Sequence, residues 1–245
     1  LNLPVAAPEG ALPKRGEIRA TLAATLGDGL SGTRAWMRQY PFGCLEQKTS
    51  KAIATRDPRA WEEVVEALPG QIDNQGLATF FPGMENGSVA LTAYVLSISD
   101  EAGWTLPADA RARMEKALEE FVAGRLDGAA GAGLPDQAAT NLRLAALEAL
   151  SRAGKATPAL IGTVKPDVKR IATAALSDWI GILKRNPKLA KRDALLKEAL
   201  AALRARYTYT GQRLNLADEG RDNLWWMMAS SDTGAVRSLL SVLDL

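Results

Sequence analysis

Cys44 and Gln47 are the residues of this sequence whose types and spacing could do covalent chemistry. Cys44 is the only cysteine in 245 residues, and Gln47 follows it by three positions at the start of a predicted helix. Because a helical turn closes over about three to four residues, the two side chains can meet on one face. Gly43 suits a sharp turn into that helix, and Pro41 keeps the preceding segment extended. A thiol beside a carboxamide can attack it, expel ammonia and leave an internal thioester.

The same spacing also has a plainer interpretation. A lone cysteine is most often a small buried hydrophobic residue, and a Cys-x-x-Gln spacing is not specific by itself. On this interpretation the chain is a helical-repeat binding module in which Cys44 only fills the core. The residues that surround the pair distinguish the two interpretations.

The motif Tyr-Pro-Phe-Gly-Cys-Leu-Glu-Gln at residues 40–47, continued by Thr49 and Ser50, closely resembles the thioester motif of the alpha-2-macroglobulin family in its bacterial form. Animal members of the family and the related complement proteins usually carry glycine where this chain has Leu45. The resemblance covers most of the chain. Its further segments are residues 91–95 and 101–103, similar to the family's next helix and its end, and residues 221–225 and 229–231, similar to a late helical pair.

The resemblance implies a single-use inhibitor of endopeptidases rather than an enzyme. In the family, cleavage of a bait segment elsewhere in a large chain exposes the thioester. A lysine ε-amine of the attacking protease would then attack the acyl carbon of Gln47 and release Cys44 as a thiol. The resulting isopeptide bond traps the protease covalently, with no cofactor and no metal ion.

The resemblance also implies a setting in the bacterial envelope and a role in host defence. We expect this soluble fragment to belong to a periplasmic parent that is anchored to the inner membrane through a distant N-terminal lipid. The expected partners are the trapped proteases, the bait region and flanking β-domains of the parent chain, and a penicillin-binding protein.

A thioester hydrolyses in water, so a protein that keeps one must exclude water and amines from it. The candidates for shielding and supporting the bond are Tyr40, Phe42, Gly43, Leu45 and Glu46. Glu46 also suits the N-terminal end of a helix, where a carboxylate is favoured. Further apolar candidates, which ordinary core packing would explain equally well, are Trp36, Met37, Phe80, Phe81 and Met84.

Histidine is absent from the sequence. This excludes Cys–His and Ser–His–Asp catalysis within the chain and argues against an ordinary zinc site. In some family members a histidine captures the acyl group and redirects it to hydroxyl groups. Without a histidine we predict direct aminolysis, with amines preferred to alcohols.

The composition is that of a globular domain, with 47% hydrophobic and 24% charged residues. A net charge of +2, with no dense basic run, argues against a nucleic-acid partner. No stretch reaches the roughly 18 apolar residues that a transmembrane helix needs. Since the chain starts at Leu1 without a signal peptide, we expect an excised piece of a longer protein.

Helical patterns dominate from residue 30 onward. Residues 1–28 are expected to be a linker and a strand (16–26) of the flanking β-domain, and residues 29–245 the thioester domain. The predicted helices are 31–39, 44–55, 58–68, 88–102, 107–126, 135–153, 158–164, 167–185, 187–206, 222–230 and 233–243. A loop is predicted at 71–87, a turn at 127–134 and a short hairpin or extended excursion at 207–216.

Successive helical hairpins about 40–50 residues apart are typical of helical repeats. The pattern fits an α/α-toroid or an α-solenoid, and the family resemblance favours an all-α toroid, an α6/α6-like barrel with the thioester at one end. A toroid also admits a carbohydrate-active enzyme that uses paired carboxylates, although an aromatic content of 6% is low for a sugar cleft. The carboxylates available for it are Asp136, Asp178, Asp218, Glu219 and Asp222.

Overall fold

Ten α-helices and one β-hairpin make up the part of the chain that the structure describes. The structure is a computed structural model, and it describes residue 10 and residues 30–126, 133–210, 213–216 and 224–242. The helices are α1 (Ser31–Gln39), α2 (Leu45–Thr55), α3 (Pro58–Ala67), α4 (Val89–Ala102), α5 (Ala108–Val122), α6 (Asp136–Arg152), α7 (Pro158–Ile161), α8 (Thr173–Arg185), α9 (Arg192–Arg204) and α10 (Ser231–Val242). The hairpin pairs β1 (Tyr207–Thr210) with β2 (Arg213–Leu216) in antiparallel fashion, which confirms the strand character predicted there.

The chain divides into two compact units, Leu1–Gln39 and Tyr40–Leu245, and each is described by itself. The first unit contains α1, and the second contains α2 to α10 and the hairpin. The predicted linker and the predicted strand at 16–26 lie outside the described residues. The domain boundary predicted after residue 28 therefore stays a prediction.

Helices of the second unit alternate between an inner and an outer layer. In the inner layer α2 packs on α4, α4 on α6, α6 on α8 and α8 on α10. In the outer layer α3 packs on α2, α5 on α4 and α6, and α9 on α8. This alternation confirms the predicted all-α fold and the α/α-toroid architecture.

Helices of the inner layer are more buried than helices of the outer layer. The inner helix α8 buries ten of its thirteen residues, and α4 buries eight of its fourteen. The outer helix α9 buries only Leu196, Ala199 and Leu203, which recur at helical spacing on one face. A helix that is apolar on most sides must be enclosed by neighbours, whereas one apolar stripe is enough for a surface helix.

Local side chains set the limits of the helices near the start of the second unit. The Asp57 carboxylate accepts hydrogen bonds from the N–H groups of Arg59 and Ala60, and Pro58 follows the cap, as predicted. The Ser88 hydroxyl accepts from the N–H of Leu91 and begins α4. α4 ends at Ala102, and its C-cap residue, Gly103, has a φ of 71°, a conformation that favours glycine.

Two predicted helix starts are wrong because turns precede the helices. Residues 167–171 form a turn around Asp167, whose side chain accepts from Lys169 N–H and whose carbonyl accepts from Arg170 N–H, so α8 begins only at Thr173. Lys191 has a φ of 59°, a left-handed conformation that a helix cannot contain, so α9 begins at Arg192 instead of 187.

The helix predicted at 222–230 is also wrong over its described part. Leu224 and Ala229 form an isolated antiparallel bridge around a short 3-10 segment, Trp225–Met227. Met228 has a φ of 54°, which stops the helical conformation after one turn. Residues 222 and 223 lie outside the described residues.

Candidate functional site

The structure brings Cys44 and Gln47 together at the start of α2. Cys44 is the N-cap residue, with extended backbone angles of φ −70° and ψ 164°. Its backbone N–H donates a hydrogen bond to Gln47 Oε1 at 3.2 Å, and its side chain faces the backbone N–H of Gln47. This is the reciprocal arrangement of a capping box, in which the two side-chain groups are the thiol of Cys44 and the carboxamide of Gln47. The thiol is buried and only 7% of Cys44 is exposed.

Residues that follow Cys44 anchor it to the core and to α2. Leu45 is fully buried in the hydrophobic core, which fixes the first turn of α2 against the inner layer. The backbone N–H of Leu45 donates to the carbonyl of Phe80 at 2.9 Å, and that of Lys48 donates to the carbonyl of Cys44. An N–H in the first turn of a helix has no partner within the helix, so the loop that carries Phe80 supplies one.

One carboxylate organises this loop, residues 72–88. Asp73 accepts hydrogen bonds from the N–H groups of Gln75, Leu77 and Gly87 at 2.7–2.9 Å. Gln71 adds a hydrogen bond from Nε2 to the carbonyl of Phe80 at 3.3 Å. The predicted loop at 71–87 is therefore ordered by internal hydrogen bonds and joined to α2 immediately after Cys44.

The predicted shielding residues lie in different environments. The rings of Tyr40 and Phe42 meet edge to face with centroids 5.2 Å apart, and Tyr40 is half-buried while 60% of Phe42 is exposed. Gly43 is exposed. The shielding role stays a prediction for these residues. Of the further candidates, Phe80 is half-buried, Phe81 and Met84 on the loop are exposed, and Trp36 and Met37 belong to the first unit.

Glu46 lies in the first turn of α2, where its charge is favourable to the helix dipole. The Ser50 hydroxyl donates to Glu46 Oε1 at 2.8 Å, and Ser50 Oγ lies 2.6 Å from the hydroxyl of Tyr94 on α4. Burial raises the pKa of Tyr94 above its usual value, with the Glu46 charge adding to the effect, so this phenol stays protonated. Sequence reasoning missed the contact, because Ser50 and Tyr94 are 44 positions apart.

A second group of charged side chains lies where α4, α6, α8 and α10 meet, around a cavity of about 530 Å³. Glu148 on α6 pairs with Arg152 and Arg185, and Asp178 on α8 pairs with Arg237. Burial raises the pKa of Asp178 to about 6, although Arg237 opposes this. Burial acts in the same direction on Glu148, but Arg152 and Arg185 outweigh it and hold the pKa of Glu148 below its usual value.

The carboxylates of this group do not support the carbohydrate-active alternative. Both are bound to guanidinium groups, so neither is free to act on a glycosidic bond. Asp136 is exposed in the first turn of α6, while Asp218, Glu219 and Asp222 lie outside the described residues. Glu148 was missed by sequence reasoning, although its spacing of four from Arg152 on one helix is a readable signal.

No cluster of three Cys, Asp or Glu side chains that could hold a metal ion occurs in residues 30–126, 133–210, 213–216 and 224–242. Over the same described residues, no helix has both the length and the apolar character needed to cross a bilayer.

Comparison with known proteins places the fold. No protein-family model matches the sequence, and no curated protein matches it. A crystal structure of native alpha-2-macroglobulin from Escherichia coli, spanning domain MG7 to the C-terminus, is similar over 88% of this chain, with a TM-score of 0.55 and 16% identity. Salmonella alpha-2-macroglobulin reacted with methylamine is similar over 86%, with a TM-score of 0.55 and 17% identity.

The native conformation of the E. coli protein solved by cryo-electron microscopy is similar over 74% of this chain, with a TM-score of 0.52 and 17% identity. The matches span 38%, 16% and 14% of the lengths of these three structures. The chain therefore shares the fold of one part of bacterial alpha-2-macroglobulins.

Proposed function

We propose that this chain is the thioester domain of an alpha-2-macroglobulin-like inhibitor of proteases. The observation that carries the proposal is the contact of Cys44 and Gln47 at the start of α2, with the Cys44 N–H 3.2 Å from Gln47 Oε1. The shared fold and the motif at residues 40–47 support it. The proposal gives the family roles to Cys44 and Gln47, two residues that are joined by a hydrogen bond.

Bond formation requires Cys44 Sγ to attack Gln47 Cδ. The C–N bond of the carboxamide breaks, ammonia leaves with the thiol proton, and an S–C bond joins the two side chains. Oε1 is retained as the acyl oxygen of the thioester. The Cys44 N–H that it accepts is therefore placed to stabilise negative charge on this oxygen, as an oxyanion donor does.

The bond would be consumed by a lysine amine of the attacking protease. The amine nitrogen attacks Gln47 Cδ, the C–S bond breaks, and Cys44 takes up the proton that the nitrogen loses. The products are an isopeptide bond and a free thiol, so each domain reacts once and is not an enzyme. Water would attack the acyl carbon of Gln47; Cys44 is buried and Gln47 is half-buried, so the structure partly covers the place of the proposed bond.

The proposal extends to the setting that the sequence resemblance implies. The parent chain would be periplasmic, anchored to the inner membrane by an N-terminal lipid, and would carry the bait region and flanking β-domains. Trapped proteases would be its targets in host defence, with a penicillin-binding protein as a further partner.

Intact-mass measurement of the full parent protein tests the thioester. The parent is expected to be lighter than its sequence mass by one ammonia and to lack a free thiol. Methylamine should add its own mass and release one thiol, while the same treatment should leave the Cys44→Ala variant unchanged. A parent with its full sequence mass and a titratable Cys44 thiol would contradict the proposal and favour a helical scaffold.

A further inference from the structure

A groove of about 750 Å³ runs between the outer helix α9 and the inner helix α10. α8 packs on both of these helices. Most of the residues that line the groove are apolar: Leu196, Leu200 and Leu203 on α9, Tyr207 on β1, and Leu239 and Val242 on α10. We call this surface the α9–α10 groove.

The described residues leave part of this apolar lining uncovered. Leu239 is 48% exposed, and Leu200, Tyr207 and Val242 are half-buried. An apolar surface that stays accessible between two helices is typical of a place where another chain segment binds.

The spacing of the leucines on α9 indicates what kind of segment fits. Leu196, Leu200 and Leu203 follow one another by four and three positions, so they form a single stripe along the helix. A stripe with this spacing packs against an equivalent apolar stripe on a neighbouring helix. Residues 193–204 of α9 line the groove over a length of roughly 16 Å, which is about three helical turns.

The rim of the α9–α10 groove is basic. Lys197 and Arg204 lie seven positions apart, so both stand on the same edge of the leucine stripe. Both are exposed, and neither forms an ion pair with another residue that the structure describes. Of the described residues that line the groove, only Asp193 is acidic, and Arg192 pairs with it at 2.7 Å. The rim therefore presents two uncompensated positive charges to the segment that fills the groove.

We propose that the α9–α10 groove binds an amphipathic helix of another protein. The apolar face of this helix packs on the leucine stripe, and its acidic residues lie beside Lys197 and Arg204. Charge complementarity with the basic rim selects an acidic flank. The inference goes beyond the proposed function and does not depend on the thioester.

The test uses a fluorescently labelled helical peptide of about 14 residues, or four turns. It carries leucines at heptad spacing and glutamates beside them, seven positions apart. Fluorescence anisotropy measures its affinity for the full parent protein. We expect saturable binding that weakens as salt is added, since the rim charges are exposed. The same peptide with lysine in place of the glutamates should bind at least about tenfold more weakly.

A charge swap on the rim tests the orientation of the helix. The double variant Lys197→Glu with Arg204→Glu should bind the acidic peptide about tenfold more weakly and the lysine peptide more tightly than the parent does. Both residues are exposed, so the variant should fold as the parent does. Lys116→Glu, an exposed position of α5 outside the groove, is the matched control and should leave both affinities unchanged.

Leu239→Ala tests the apolar wall of the groove. It should weaken binding of the acidic peptide about tenfold, because part of the apolar surface that the peptide covers is lost. Val236→Ala is the control on the same helix, since Val236 is also exposed but does not line the groove. Thermal unfolding shows whether Leu239→Ala folds, and the charge swap decides if it does not.

Three results would overturn the inference. The first is no binding of the acidic peptide to the parent up to about 1 mM. The second is equal affinity for the acidic and the lysine peptide. The third is self-association of the parent that Leu239→Ala abolishes, which would assign the groove to a second copy of the chain. Cys44→Ala should bind the acidic peptide as the parent does, so failure of the proposed function would leave this result unchanged.

Discussion

The backbone N–H of Cys44 donates to Oε1 of Gln47, and the Cys44 side chain faces the N–H of the same glutamine. Serine or threonine with glutamate usually forms this reciprocal box at the start of a helix. Here the box has a second consequence, because it holds a nucleophilic sulfur next to a carboxamide. The hydrogen bond that begins α2 therefore also holds together the two residues of the proposed thioester.

Gln47→Glu should separate these two roles. Glutamate has the same length and keeps an acceptor for the Cys44 N–H, so the helix start should be as stable as in the parent. A carboxylate does not react with a thiol without activation, so the parent protein with this substitution should show no thioester mass. Intact mass and thermal unfolding measured on the same sample check both statements.

Gln47→Ala is the matching control for stability. It removes the side chain that accepts from Cys44 and should lower the free energy of unfolding by about 1 kcal/mol, as loss of a cap does. Equal stability of the alanine and glutamate variants would contradict the capping role.

Asp73→Ala should loosen the loop that holds Phe80 against α2. The substitution leaves three backbone N–H groups without their acceptor, so we expect a loss of about 3 kcal/mol in the free energy of unfolding. Because the Phe80 carbonyl accepts from Leu45, next to Cys44, the spontaneous hydrolysis of the proposed thioester should also accelerate. Thiol release over time in buffer without amine measures the hydrolysis.

Asp57→Ala is a suitable control for Asp73→Ala. Asp57 caps α3 and accepts from the N–H groups of Arg59 and Ala60, not from residues next to Cys44 and Gln47. Its loss should reduce stability by about 1 kcal/mol and leave the hydrolysis rate unchanged. Equal hydrolysis rates for the two variants would contradict a specific role of the loop.

Local patterns in the sequence were enough to predict the helix that carries the site. Its start after Gly43, the contact of Cys44 with Gln47 and the cap at Asp57 depend on residues within about one turn of each other. The alternation of inner and outer layers followed from the spacing of the helical hairpins together with the family resemblance.

Contacts between distant segments could not be predicted in the same way. Ser50 meets Tyr94 across 44 positions, and Asp73 meets Gly87 only because the loop folds back on itself. The pairing of Asp178 with Arg237 spans 59 positions. Each of these requires the packing of inner helices or a loop conformation, which the periodicity of one segment does not determine.

Gly87→Ala should be among the most disruptive glycine substitutions in the loop. A Cβ at this position would lie 2.5 Å from the carbonyl oxygen of Leu77, a backbone atom that can move only if the loop moves. We expect a loss of about 2 kcal/mol or more in the free energy of unfolding, from overpacking. Gly70→Ala is the control, since a Cβ there meets no atom within 4 Å, and it should leave stability unchanged or slightly higher. Chemical denaturation of both variants provides the comparison.

Asp178 should make the free energy of unfolding depend on pH between about pH 4 and 6. Burial raises its pKa in the folded protein from the usual 3.8 to about 6, so between these values the folded state binds more protons than the unfolded state. The contribution of Asp178 to the free energy of unfolding is therefore fully present below about pH 4 and is lost as the pH rises to about 6, by an amount on the order of 3 kcal/mol.

The contribution of Glu148 to stability depends on pH in the opposite direction, and it changes at lower pH than that of Asp178. Its pKa is held below 4.5, so its contribution is present above that value and is lost as the pH falls through the folded-state pKa. Asp178→Asn should remove the decline in stability between about pH 4 and 6 while leaving the loss at lower pH in place. Urea unfolding of the parent and the variant at several pH values tests this, and an unchanged slope between pH 4 and 6 in the variant would assign the effect to another group.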